Sequence, residues 1–257
     1  MRLGFCAPWT QAGIVAEAGF DYIEPGAASG LQPEREWGET AFAIDGEQRI
    51  TAEVFNVFLP GDLKIVGPEV DEQRIVRYLE NAFQRLSMVG AKIVVFGSAG
   101  SRRVPDGWSA ADARDQILAF LRRCAPLAAS AGVTVAIEPL GSAECNIIIS
   151  VDEAMGYVRA VDHPSIQVLS DLYHIDSDGQ SHLETRDAGP ALHHVHVAGR
   201  FDRRVPTPDD IDYLAAYFRI LKEAGYDGRI SVEARVVDID REAPIALDVM
   251  RRAWELA

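Results

Sequence analysis

One phrase recurs along the chain: a helix-like stretch ends, a glycine follows, and a short apolar run comes next. It occurs at Ala18-Gly19 before FDYIEP, Val89-Gly90 before AKIVVFG, Ala131-Gly132 before VTVAIEP and Ala224-Gly225 before YDGRISVEA. A glycine just past a helix takes the left-handed conformation that side-chain-bearing residues resist, so each one predicts a helix stop. The runs that follow are short and β-branched rather than alternating, the pattern of parallel strands covered on both faces. Leu3 to Cys6, Ala52 to Phe58, Ile166 to Asp171 and Val195 to Ala198 read the same way, giving eight predicted strands.

Helical patterns fill the intervals. Between Asp71 and Val89, the apolar residues Ile75, Val76, Leu79, Phe83 and Leu86 share one face. Ser150 and Glu153 have the spacing of a capping box, and Thr207-Pro208 opens another helix with proline first. A last helix is predicted from about Arg241 to the C-terminus. Such alternation builds either an open doubly wound sheet or a closed barrel. No glycine-rich phosphate loop follows the first strand, which runs on as CAPWTQAG. Eight strands in 257 residues, without a linker-like break, predict an α/β fold: a single (β/α)8 TIM barrel spanning residues 1–257 as one domain.

Composition narrows the partners. With 48% hydrophobic residues the chain can bury a large core. Its 39 acidic against 25 basic residues give a formal charge of -14, which repels phosphate backbones and argues against a nucleic-acid partner. Cys6, Cys124 and Cys145 are odd in number and show no CxxC spacing, which fits a reducing compartment. The N-terminal MRLGFCAPW is not signal-like, and no run of about 18 apolar residues marks a membrane span. A cytoplasmic protein with no membrane association is expected.

Chemistry in such a barrel sits at the C-terminal ends of the strands. Strands five to eight each end on a ligand-type residue: Glu138 in TVAIEP, Asp171 in IQVLSD, His196 in HHVHVAG and Glu233 in RISVEA. Any one of these alone reads as a solvated rim acid, a helix cap or a core histidine. Adjacent strands lie about 4.8 Å apart, so the four can converge, and three clustered carboxylates are costly to bury without a cation. The expectation is one divalent metal held by Glu138, Asp171, His196 and Glu233. Carboxylate and imidazole donors suit Mn2+ or Mg2+, with Co2+ or Zn2+ admissible. Isomerising or epimerising a small keto-sugar needs an acid/base pair and a Lewis acid for the enediolate, roles open to Glu138 and Glu233 as catalytic residues.

On these residues the sequence resembles the xylose isomerase-like barrel superfamily, especially its sugar epimerases and hydroxypyruvate isomerases, over nearly the whole chain. The most specific segment is IEPLGSAECN, which matches a metal-binding glutamate, Pro-Leu, a second glutamate and an asparagine at Glu138, Glu144 and Asn146. LSDLYHI matches Asp-x-x-His at Asp171 and His174, and Glu233 matches the family's last glutamate. The resemblance implies metal ligation by Glu138, Asp171, His196 and Glu233, proton transfer by the glutamate pair, and substrate contact from Glu144, His174 and Arg203. It also allows a homo-oligomer. The chain departs from the family after His196, where Ala198, Gly199 and Arg200 stand and one extra residue precedes the arginine; Arg203 rather than Arg204 is taken as the match.

Other residues carry no assigned role. Glu24, ending YIEPG, reads equally as a substrate contact or a rim acid. Arg102 and Arg103 read as an anion site or a solvated loop, and Trp9 and Trp108 as sugar walls or core. His193 and His194 read as scaffold, and His163 and His182 carry no signal. Three rival functions remain: a metal-dependent dehydratase or lyase of a keto-cyclitol or keto-acid, an apurinic endonuclease disfavoured by the acidic charge, and a metal-binding module without catalysis.

Overall fold

The computed structural model describes residues 1–37 and 50–257. Its strands are β1 (Arg2–Cys6), β2 (Tyr22–Glu24), β3 (Thr51–Ala52), β4 (Val54–Phe55), β5 (Ile93–Phe96), β6 (Thr134–Ile137), β7 (Ile166–Asp171), β8 (Leu192–Val197) and β9 (Arg229–Val232). All pairings are parallel, in the order β3-β2-β1-β9-β8-β7-β6-β5-β4. Only Glu53 separates β3 from β4, so the two are one passage of the chain. That passage bonds β2 with its first half and β5 with its second, which closes a ring of eight passages. The predicted third strand is thus shorter than Ala52 to Phe58: Asn56 bridges to Gly26, and Val57 takes a left-handed φ of 45°.

The helices around the ring are α1 (Ala12–Ala18), α2 (Glu72–Met88), α3 (Ala99–Arg102), α4 (Ala110–Ala131), α5 (Val151–Val161), α6 (Leu172–Ser177), α7 (Leu183–Ala188), α8 (Ile211–Glu223) and α9 (Ile239–Leu256). The four glycines of the repeated phrase, Gly19, Gly90, Gly132 and Gly225, have φ of 93°, 75°, 68° and 73°. The Asp71 side chain caps α2 by accepting the Arg74 amide at 2.9 Å. The Ser150–Glu153 box forms only in part. Ser150 Oγ accepts the Glu153 amide, but the Glu153 carboxylate turns to the amides of Ile148 and Ile149, both at 2.8 Å. Thr207 and Asp210 close a full box over a 3-10 turn, Pro208–Asp210, that runs into α8.

Two apolar layers hold the ring. Between strands and helices lies a large core that includes Phe5, Val94, Phe96, Ile137, Val168 and Val232. Inside the ring Tyr22, Val54, Ile93, Val95, Ala136 and Leu169 form a plug. Each such large side chain contributes about 1.5–3 kcal/mol on burial. Gly4 makes room for this plug, since a Cβ there would sit 2.2 Å from the Tyr22 ring. The plug sets the floor of what lies above it. Among the described residues no helix is long and apolar enough to cross a membrane.

Candidate active site

Side chains two apart on a strand share a face, so residues two beyond the inner plug point inward one layer higher. Tyr22 is followed by Glu24, Ala136 by Glu138 and Leu169 by Asp171; on the neighbouring strands His194 is followed by His196 and Ser231 by Glu233. His196 is the hub. Its Nδ1 lies 3.0 Å from Glu138 Oε1, 3.5 Å from Glu233 Oε2 and 3.9 Å from Asp171 Oδ2. One donor atom from each of these four residues lies within 4.8 Å of the others. The structure therefore brings together the whole predicted ligand set, from four contiguous strands.

Asp171 shows the division of labour inside one carboxylate. Oδ1 accepts the amides of Tyr173 at 2.7 Å and His174 at 3.4 Å, capping α6, while Oδ2 is buried with no hydrogen-bond partner. Gly97 leaves Glu138 its present position, since a Cβ there would stand 2.0 Å from Glu138 Oε2 and push the carboxylate aside. Burial pushes the Asp171 carboxyl above its ordinary pKa, and Glu233 and Glu138 add repulsion. Burial also opposes charge on Glu233, yet His196 and Arg203 hold its pKa at about 2. Burial works against the His196 imidazolium, but Glu24 and Glu233 raise its pKa well above the ordinary value. Three carboxylates, an imidazole and an orphaned carboxylate oxygen fit a hard divalent cation.

The expected substrate-side residues surround this set. Arg203 donates to Glu233, lies 3.8 Å from Asp171 Oδ2 and 3.4 Å from Glu144 Oε1, and stacks 4.8 Å from the Tyr173 ring centre. Asp202 and Arg203 both take left-handed φ values, 58° and 51°. Arg204 goes elsewhere, to the buried Asp210 at 3.0 Å. His174 is buried beneath, with both ring nitrogens unpartnered and Nε2 3.7 Å from Asp171 Oδ2. Glu144 is more exposed than the rest of the set.

Several open readings are now decided. Glu24 is no rim acid: it is fully buried, bonded through Oε1 to His196 and through Oε2 to His194, each at 2.8 Å. Burial opposes its ionisation, but the two histidines outweigh that and depress its pKa. Arg102 is neither solvated nor an anion site. It is fully buried and donates to the carbonyls of Phe96 and Glu138, each at 2.7 Å, and to Ile148 at 3.3 Å, fixing the strand ends that carry Gly97 and Glu138. Asn146 clasps Val104 through both backbone atoms, each at 2.9 Å. The Trp108 indole donates to Gln116 on α4 at 3.2 Å, while Trp9 packs against the large core. His182 pairs with Asp176, His193 lies 3.3 Å from the Ala191 carbonyl, and His163 accepts the Ser165 amide.

Eight parallel strand passages ringed by helices, with acids and a histidine gathered over the strand ends, define a class of barrel, and comparison with known proteins names it. Residues 13–253 match the family described as xylose isomerase-like TIM barrel, and the chain belongs to that family. Among curated proteins it is 26% identical over 226 residues to the 3-dehydro-D-guloside 4-epimerase of Escherichia coli, covering 79% of this chain and 84% of that protein. It is 30% identical over 158 residues to the D-psicose 3-epimerase of Ruminiclostridium cellulolyticum, covering 52% of this chain and 53% of that protein. A solved D-psicose 3-epimerase from Clostridium cellulolyticum, crystallised with D-tagatose, superposes with a TM-score of 0.80 at 20% identity, over 99% of each chain. That last likeness speaks for the fold.

Proposed function

We propose that this protein is a divalent-metal-dependent epimerase or isomerase of a small keto-sugar. One observation carries the reading: Glu138, Asp171, His196 and Glu233 place donor atoms within 4.8 Å of one another, with Asp171 Oδ2 buried and unpartnered among them. The relatives' names, which are those of sugar epimerases, support the substrate class.

Glu138, Asp171, His196 and Glu233 would hold the ion, with Mn2+ or Mg2+ preferred by the donors and Co2+ or Zn2+ admissible. When bound, it supplies Lewis acidity to the carbonyl and hydroxyl oxygens of the sugar. The chain's own residues do the rest. Glu138 and Glu233 stand on the outer two of four neighbouring strands, so a sugar seated between them meets a carboxylate from either side. One takes the proton from the carbon beside the carbonyl, and the other returns a proton. Arg203 donates to Glu233 and so orients that carboxylate beside the substrate-side residues. Arg203, His174 and Glu144 would bind and orient the substrate hydroxyls.

The test is incubation of the purified, Mn2+-loaded protein with a panel of ketoses, keto-acids and inososes in D2O, followed by NMR and mass spectrometry. Deuterium incorporated beside the carbonyl, with the molecule otherwise unchanged in composition, is the expected result. Loss of one water would make the enzyme a lyase. No exchange with any substrate, despite bound metal, would remove the catalytic claim.

A further inference from the structure

Glu24 lies across the barrel from His196 and stands outside both the ligand quartet and the substrate-side set. We propose that Glu24 is a positioning residue that fixes the hydrogen of His196 on Nε2 and so presents the Nδ1 lone pair to the metal; this rests on the metal reading above. Oε1 of Glu24 faces His196 Nε2 at 2.8 Å, while Nδ1 of the same ring faces Glu138, Glu233 and Asp171. Glu138 accepts at Nδ1 as Glu24 does at Nε2, so the metal-free ring carries a hydrogen on each nitrogen; a bound ion would displace the one on Nδ1, while Glu24, which only accepts, keeps the other on Nε2. Without that partner, the ring could turn over or place its hydrogen on Nδ1, and either change blocks ligation.

Glu24 is itself held rigidly. Its Oε2 accepts from His194 Nε2 at 2.8 Å and from Ser231 Oγ at 2.5 Å, and Ser231 Oγ meets the Tyr22 hydroxyl at 2.8 Å. All five side chains are fully buried. A lone buried carboxylate is strongly disfavoured, and three donors reached from two other strands hold this one in a single orientation. The layered inner face thus reads upward as tyrosine, serine, glutamate, histidine and ligand atom.

Glu24→Gln is nearly isosteric, but its amide accepts on one atom only and must present N–H to the other histidine. We expect Mn2+ to bind the metal-free variant 10- to 100-fold more weakly than the wild type in calorimetric titration, with the metal-free melting temperature little changed. A second measurement needs no variant. In 15N-histidine-labelled wild type loaded with Zn2+, His196 should show a protonated Nε2 and a metal-shifted Nδ1. Equal affinities in wild type and variant, or an unprotonated Nε2, would overturn the positioning role while leaving the metal centre standing. Wild type that binds no divalent ion would remove the metal reading and this inference with it.

Discussion

At the N-terminal mouth of the barrel Glu53 lies between two arginines, with Oε1 2.5 Å from Arg2 and Oε2 2.7 Å from Arg229. At the C-terminal mouth Glu24, Glu138, Asp171 and Glu233 converge on His196, and Arg203 is the nearest guanidinium. The first cluster satisfies itself: each carboxylate oxygen has a cation. The second does not, because Asp171 Oδ2 and both His174 nitrogens are buried with no hydrogen-bond partner. Balanced charge at a barrel mouth closes the structure, whereas unbalanced charge held in place by the rest of the fold leaves atoms free to bind something else.

The sharpest way to break this contrast is to neutralise one end at a time. Glu233→Gln keeps shape and burial but removes one of the two carboxylates assigned to proton transfer. Turnover in the D2O assay should fall by about 10^2- to 10^4-fold with the circular dichroism spectrum unchanged. Retention of wild-type activity would reassign the base. Gly97→Ala tests placement rather than charge. The new methyl would stand 2.0 Å from Glu138 Oε2, so the carboxylate must swing away. A displacement of that order should lower kcat/KM roughly 10- to 100-fold with little loss of melting temperature, and an unaffected rate would show that Glu138 tolerates movement.

At the opposite mouth the effect should be smaller and of another kind. Glu53→Gln should cost about 1 kcal/mol in denaturant unfolding, as for a partly exposed ion pair, and leave turnover alone. Its pH signature follows from the sign of the shift. Burial opposes ionisation, but Arg229 and Arg2 draw the Glu53 pKa below its ordinary value. The stabilisation is therefore complete above the unfolded carboxyl pKa of about 4.3 and is lost as pH falls through the lower folded value. The gap between wild type and Glu53→Gln should narrow over that acid window; a constant gap would mean the residue acts by packing.

The ligand quartet was legible because its signal is local: each residue closes an apolar run at a fixed place in a repeated unit. The helix stops were legible for the same reason. Glu24 was not, because its partners His194 and His196 lie 170 and 172 residues away and on the far side of the ring. The available clue was the His-x-His spacing of β8, which puts both imidazoles on one inward face and requires an acceptor between them. Arg102 misled for a different reason. A long side chain after a strand can reach the pocket or fold under it, and only the three carbonyls left by the β5 end and the neighbouring loop decide which. The half-formed Ser150–Glu153 box failed similarly, when Ile148 and Ile149 offered amides that no local spacing announces.

The divided third passage has a consequence for how the cylinder breathes. It is stitched to β2 through Tyr22↔Thr51 and Ile23↔Ala52, and to β5 through Val54↔Ile93 and Phe55↔Val94. These are short seams beside the longer ladders joining β6 to β9. Transient opening begins where the fewest bonds must part together. The seam can yield while Glu138, Asp171, His196 and Glu233, carried at the ends of the longer ladders, keep their distances.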